Sequence, residues 1–135
     1  MGTKLVNLET LDPADLQKLE TAGISHTDEL FARAAGKAER VVLAGRTGIA
    51  LPVLDQFVGV ADLMRIAGIG EPHALLLAAL EIPTAAALSA CEAAVLIKQM
   101  RRKNVEILVV RGMPPESTVA RWVEDARKLP PGAEI

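Results

Sequence analysis

Apolar side chains recur along this chain at the three- and four-residue spacing of helices, not in the alternation of half-buried strands. Leu51, Leu54, Phe57, Val58, Ala61 and Met64 form one stripe. Val119, Trp122, Val123 and Ala126 form another, inside a closing helix expected over 116–129. Punctuation residues divide the remainder. Asp12 ahead of Pro13 marks a helix start, Asp15 completes a capping-box-like arrangement, and Gly23 ends that helix in the left-handed position. Ser25 or Thr27 caps the next helix, with Leu30, Phe31 and Ala34 on its apolar face, and a helix over 37–44 is closed by Gly45 and Gly48. In the second half Gly70 and Pro72 open a helix, Thr84 caps the next, and the alanine-rich stretch 85–103 reads as one long helix. Only 105–110 has strand-like composition; with no partner strand in sight it is expected to be an extended, buried connector, although 107–110, like the helix over 85–95, is also a candidate exposed contributor to an interface.

The pattern occurs twice. Sliding the chain so that Leu8 falls on Ile66 also places Leu11 on Ile69, Leu19 on Leu77, Ile24 on Ile82 and Leu30 on Leu88. Further on the register lengthens, pairing Leu54 with Val119, Phe57 with Trp122, Val58 with Val123 and Ala61 with Ala126. The second copy therefore carries an insertion of about seven residues within 103–115. The expected architecture is all-α: two tandem repeats, about 8–65 and 66–129, packed as one compact helical domain over 1–135, with 130–135 a flexible tail.

Composition agrees. Half the residues are hydrophobic, yet the aromatics amount to Phe31, Phe57 and Trp122, so the core is aliphatic and alanine-rich, as suits packed helices. A net charge of −2 gives no overall attraction to nucleic acid. One cysteine, Cys91, excludes an internal disulfide framework, and the opening residues lack an apolar secretory core. The apolar region 74–97 is interrupted by Glu81, Pro83 and Glu92, so no membrane span is expected and the cytoplasm is the expected compartment.

Candidate chemistry centres on Ile66-Ala67-Gly68-Ile69-Gly70-Glu71-Pro72, which has the apolar-Gly-apolar-Gly spacing of a helix-hairpin-helix turn. There glycine allows a tight turn and lets backbone amides at a helix start approach a phosphate or a partner. Gly68, Ile69, Gly70 and Glu71 are the candidate contact residues. In the first copy Thr10, Leu11 and Asp12 make a degenerate version in which Thr10 and Asp12 replace both glycines, and a carboxylate at Asp12 repels phosphate. No Lys or Arg lies within 66–97, and Glu71 is expected to compete for the amides of its own helix start. A basic patch, Lys98, Arg101, Arg102 and Lys103, is read as the solvated, dipole-compensating end of a helix, with an acidic partner or a nucleic-acid backbone as the sharper alternative. His26 and His73 lack ligand-spaced neighbours, and Cys91 lacks an identifiable base, so no metal, cofactor or catalytic residue is expected.

On Leu19-Glu20-Thr21-Ala22-Gly23-Ile24, on the run from Val60-Ala61-Asp62-Leu63 through Met64-Arg65-Ile66-Ala67-Gly68-Ile69-Gly70, on Val109-Val110-Arg111-Gly112-Met113-Pro114 and on Trp122-Val123-Glu124-Asp125-Ala126, the chain resembles the bacterial domain-of-unknown-function family 4332. That resemblance implies two fused helix-hairpin-helix repeats and no activity, cofactor or catalytic residue. The expected role is a non-catalytic interaction module that binds protein or its own copy; the alternative is weak sequence-independent DNA binding through Gly68, Gly70 and the basic patch.

Overall fold

Helix starts and stops follow local chemistry closely. The computed structural model describes residues 2–135, which form eight α-helices after a single 3₁₀ turn at Leu5–Asn7, with no strand among the described residues. In α1 (Pro13–Thr21) the Asp12 carboxylate accepts the Ala14 N–H at 2.9 Å, and Gly23 (φ 86°) ends the helix while the Ile24 N–H donates back to the Leu19 carbonyl at 2.9 Å. Asp15 makes no capping box; it lies 3.8 Å from Lys18. α2 (Thr27–Ala34) is preceded by His26, not capped by Ser25 or Thr27: Thr27 Oγ1 instead accepts the Thr3 N–H, and Glu29 folds back to accept from the Ser25 amide and hydroxyl. α3 (Lys37–Thr47) runs straight through Gly45 and stops at Gly48 (φ 78°), one turn later than its sequence suggests. α4 (Leu51–Leu63) matches its apolar stripe.

In the second half α5 (Glu71–Ala79) ends by the same bond as α1, Ile82 N–H to Leu77 carbonyl at 2.9 Å, but Glu81 (φ 63°) takes the left-handed position that Gly23 fills in the first half. The single helix expected over 85–103 is two. α6 (Ala85–Ser89) breaks at Cys91, and α7 (Ala93–Ile107) starts afresh, which lets Leu88 on one helix and Leu96, Ile97 and Met100 on the other all be buried. Helix propensity is a weak preference that such burial overrides. The connector expected at 105–110 is neither extended nor buried over most of its length: Val105 and Ile107 belong to the last turn of α7, Leu108 (φ 51°) caps it, and all three are exposed. Only Val110 is buried, held through both its N–H (3.0 Å) and its carbonyl (2.8 Å) by the Asn104 side-chain amide. α8 (Glu116–Lys128) completes the chain of helices.

The buried residues fall into two clusters that meet on α4. One runs from Leu5 to Ala61 and includes Leu19, Ile24, Leu30, Leu54 and Val58; the other runs from Val60 to Ala126 and includes Leu77, Leu88, Met100, Val119 and Trp122. In the first, α2 and α3 pack on α4; in the second, α6 and α7 pack on α8. Each fully buried leucine contributes about 1.5–3 kcal/mol, so neither cluster is incidental. Two charged side chains lie inside. Arg40 sits under the end of α2, and Asp62 sits on α4 facing the start of α6.

The last residues, expected as a flexible tail, lie back along the molecule. The Glu134 N–H donates to the Ala35 carbonyl at 2.9 Å, Arg40 donates to the Glu134 carbonyl, Arg65 donates to the Pro130 carbonyl at 3.3 Å, and Ala133 packs against the first core. Backbone acceptors in the tail meet buried or half-buried arginines, a constraint that Pro130 and Gly132 do not announce.

Candidate interaction site at the two hairpin turns

The two glycines of the second turn do different work. Ile66 and Ile69 are buried pegs, 2% and 4% exposed, and between them Gly68 turns the backbone at φ 92°. A side chain there is strained in any case and would also put a Cβ 3.1 Å from Trp122 Nε1. Gly70 is extended (φ −96°, ψ −176°) at the N-cap of α5, and a Cβ there meets nothing closer than Pro72 Cδ at 3.8 Å. Gly68 is thus required by the fold, whereas Gly70 leaves room beside the helix start.

Glu71 does not occupy its own helix start. Its carboxylate reaches the other turn, accepting the Glu9 N–H at 2.9 Å, the Thr10 N–H at 3.1 Å and the Thr10 hydroxyl at 2.5 Å. Two successive amides and a hydroxyl converging on one carboxylate form an anion cradle, and here the anion belongs to the protein. Leu11 is buried beside it, while Asp12 caps α1. In this turn Asp12 thus caps its own helix while Glu71 fills the Glu9 and Thr10 amides.

Basic residues distribute differently from their order in the sequence. α8 brings Arg121 alongside the second turn, its Nη2 3.5 Å from where a Cβ on Gly68 would lie. Next to it Trp122 is buried, with its Nε1 hydrogen unpartnered among the described residues. Lys98, Arg101 and Arg102 are exposed on α7 and form no ion pair among the described residues; Lys103 is half-buried and lies 3.2 Å from Glu106. The patch does not neutralise a helix end, because α7 continues to Ile107 and its last turn contains no basic residue. It belongs to an outward stripe in which Val95, Lys98, Arg102 and Val105 follow one another at helical spacing, with Val95 and Val105 51% and 76% exposed.

The remaining candidates have contacts within the fold. His26 Nδ1 contacts Glu29 at 3.0 Å, and that hydrogen bond, followed by those from Ser25, holds the Glu29 carboxyl below its usual range. His73 packs edge-on against Trp122 with ring centroids 5.2 Å apart, and burial lowers its pKa below the ordinary imidazole value. Cys91 occupies the α6–α7 break, not a helical face; it is half-buried and burial raises its thiol pKa, away from the reactive thiolate. No cluster of potential metal ligands occurs among the described residues, and no helix there is long and apolar enough to cross a membrane. Arg121, Trp122 and the partner of Glu71 escape a linear reading. The one available signal was the pairing of Phe57 with Trp122, which places α8 in its half as α4 is placed in the other.

The fold and site together define an all-helical protein with two cores meeting on one helix and two turns joined by a carboxylate. It belongs to the family described as Domain of unknown function (DUF4332), whose model matches residues 9–129. No curated protein and no solved structure matches the chain.

Proposed function

We propose that the chain is a non-catalytic module of two tandem helix-hairpin-helix repeats that binds a protein partner or a second copy of itself. The duplication reading is supported by the paired cores, the equivalent helix packings and the identical closing bonds of α1 and α5. The observation that carries the binding reading is the tip of α7. Leu108 is 77% exposed and takes a left-handed backbone at φ 51°, where glycine is the favoured residue. An apolar side chain held in strain and turned to solvent, with Val105 beside it and unpaired Lys98, Arg101 and Arg102 along the same helix, fits an acidic protein surface carrying an apolar side chain. The first half of this chain offers exposed Val6, Glu9 and Asp12 within seven successive residues.

Leu108→Gly separates the roles. It is expected to raise stability by about 1 kcal/mol through relief of the left-handed conformation, while weakening association. Urea unfolding measures the first effect and light scattering across a concentration series, together with pull-downs, the second. If the wild-type chain stays monomeric at high concentration and captures nothing, the reading fails.

Sequence-independent DNA binding is the second reading, favoured by Arg121 beside the Gly68 turn. It predicts a duplex affinity that falls steeply with salt and is weakened by Gly70→Asp, a change the N-cap backbone accepts without strain. Absence of a mobility shift at low salt removes it.

A further inference from the structure

We infer that a groove beside α3 binds a small amphiphilic anion, with its charged head between Arg33 and Arg46 and its apolar tail along α3. Two adjoining hollows share these two arginines. The larger, about 600 Å³, is lined by Lys18, Thr21, Arg33, Arg46 and Thr47 among others and contains no acidic lining residue. The smaller, about 320 Å³, is lined by Ala38, Glu39, Val42 and Leu43 together with Arg33 and Arg46.

The register of α3 gives the ligand its direction. Ala38, Val42 and Arg46 are spaced four residues apart and so stack along one face, apolar first and cationic last. Val42 is 59% exposed although it belongs to a helix whose Leu43 is buried, which leaves an apolar strip without a protein partner among the described residues. Glu39 lies at the opposite end of the strip, in the first turn of α3, and turns an anionic head away from that end.

The cations are not fully used by the fold. Lys18 lies 3.8 Å from Asp15, and Arg33 donates one N–H to the Ala22 carbonyl at 3.1 Å, leaving the rest of its fork. Arg46 has no partner among the described residues. The C-terminal ends of α1 and α3 are partly negative and reduce the field of these three cations, so inorganic anions alone gain little. An anion with a tail gains from both hollows, through a forked guanidinium contact at its head and burial of its chain against Ala38 and Val42. A phosphate monoester or a carboxylate bearing a short alkyl chain has the required chemistry.

Octyl phosphate, octyl glucoside and inorganic phosphate are the probes, titrated into isotopically labelled full-length chain below the micelle concentration and followed by amide shifts. Octyl phosphate is expected to saturate with shifts at Ala22, Arg33, Val42 and Thr47, at an affinity at least about ten-fold above either control. Arg46→Glu and Val42→Asp change exposed positions; each is expected to weaken octyl phosphate by about ten-fold or more, with circular dichroism unchanged. Phosphatidic acid vesicles form a second arm. Arg46-dependent flotation with them assigns the head group to a lipid, and binding of the soluble monoester alone assigns it to a free metabolite. Equal affinity for inorganic phosphate, unchanged binding by Arg46→Glu, shifts confined to other helices, or no binding in either arm overturns the inference.

Discussion

Replacing Asp62 by alanine is expected to destabilise the chain by about 3–5 kcal/mol, a large share of the roughly 5–15 kcal/mol that holds a domain together. The carboxylate is fully buried on α4 and has both oxygens engaged. Oδ1 accepts from Arg65, at 3.0 Å from Nε and 2.9 Å from Nη2, while Oδ2 accepts the N–H of Ala85 at 2.8 Å. Ala85 opens α6, a helix of five residues with few internal bonds of its own, so that contact anchors its start to α4. Arg65 in turn lies 4.3 Å over the Phe31 ring, which touches the first core. Alanine at 62 leaves a buried amide unpaired, a guanidinium without its counter-charge and a void between the cores. Asp62→Asn keeps an acceptor for Ala85 and loses the ion pair, so its cost should fall between wild type and alanine. Chemical denaturation gives the magnitudes, and amide exchange should show protection lost first across 85–89. A change below about 1 kcal/mol for alanine would refute this account of Asp62.

Arg40→Met comes second, at about 3 kcal/mol. Its guanidinium, 1% exposed in the folded chain, donates to Asp55 at 2.7 Å, to the Ala34 carbonyl at 3.0 Å, to the Ala35 carbonyl at 2.8 Å and to the Glu134 carbonyl. Two of those acceptors are the carbonyls that α2 leaves open at its end, and one belongs to the C-terminal segment. Methionine fills the volume and satisfies none of them. Asp55 retains 34% exposure and can rehydrate, which is why the expected loss is smaller than at Asp62. Arg40→Lys should rescue little, because one ammonium cannot span four acceptors that a planar fork reaches together. Urea midpoints test the magnitude. Limited proteolysis supplies a second readout: 130–135 should become the first site cut in Arg40→Met and remain protected in wild type.

The sequence was most informative where a structure depends on a few adjacent residues. Asp12 with Pro13, Gly23, Gly48 and Thr84 mark helix boundaries through contacts within one turn, and each acts in the folded chain close to where it was read. Gly68 likewise announces its turn. Legibility fails where a residue's partner lies far along the chain. Glu71 looks like a competitor for its own helix, because nothing local reveals the amides of Glu9 and Thr10. Arg121 looks like surface charge until α8 sets it beside Gly68. At 85–103 composition suggested one alanine-rich helix, and burial of Leu88 with Leu96, Ile97 and Met100 divides it; at 105–110 β-branched residues suggested extension, whereas Val105 and Ile107 continue α7 although exposed. Asp62 did carry a faint mark, as the one acid within the otherwise apolar run 57–63, a position that its burial explains.

The carboxylate seated in the Glu9–Thr10 cradle also makes the two sides of that contact chemically unlike. In the alignment of the halves Glu71 stands opposite Pro13, and Thr10 stands opposite Gly68. A protein made of the first half twice would bring a proline to the cradle, and one made of the second half twice would bring a carboxylate to a glycine that lacks the receiving hydroxyl. Only a chain that contains both segments supplies both key and lock. In this contact the two segments are complementary parts, and neither can replace the other.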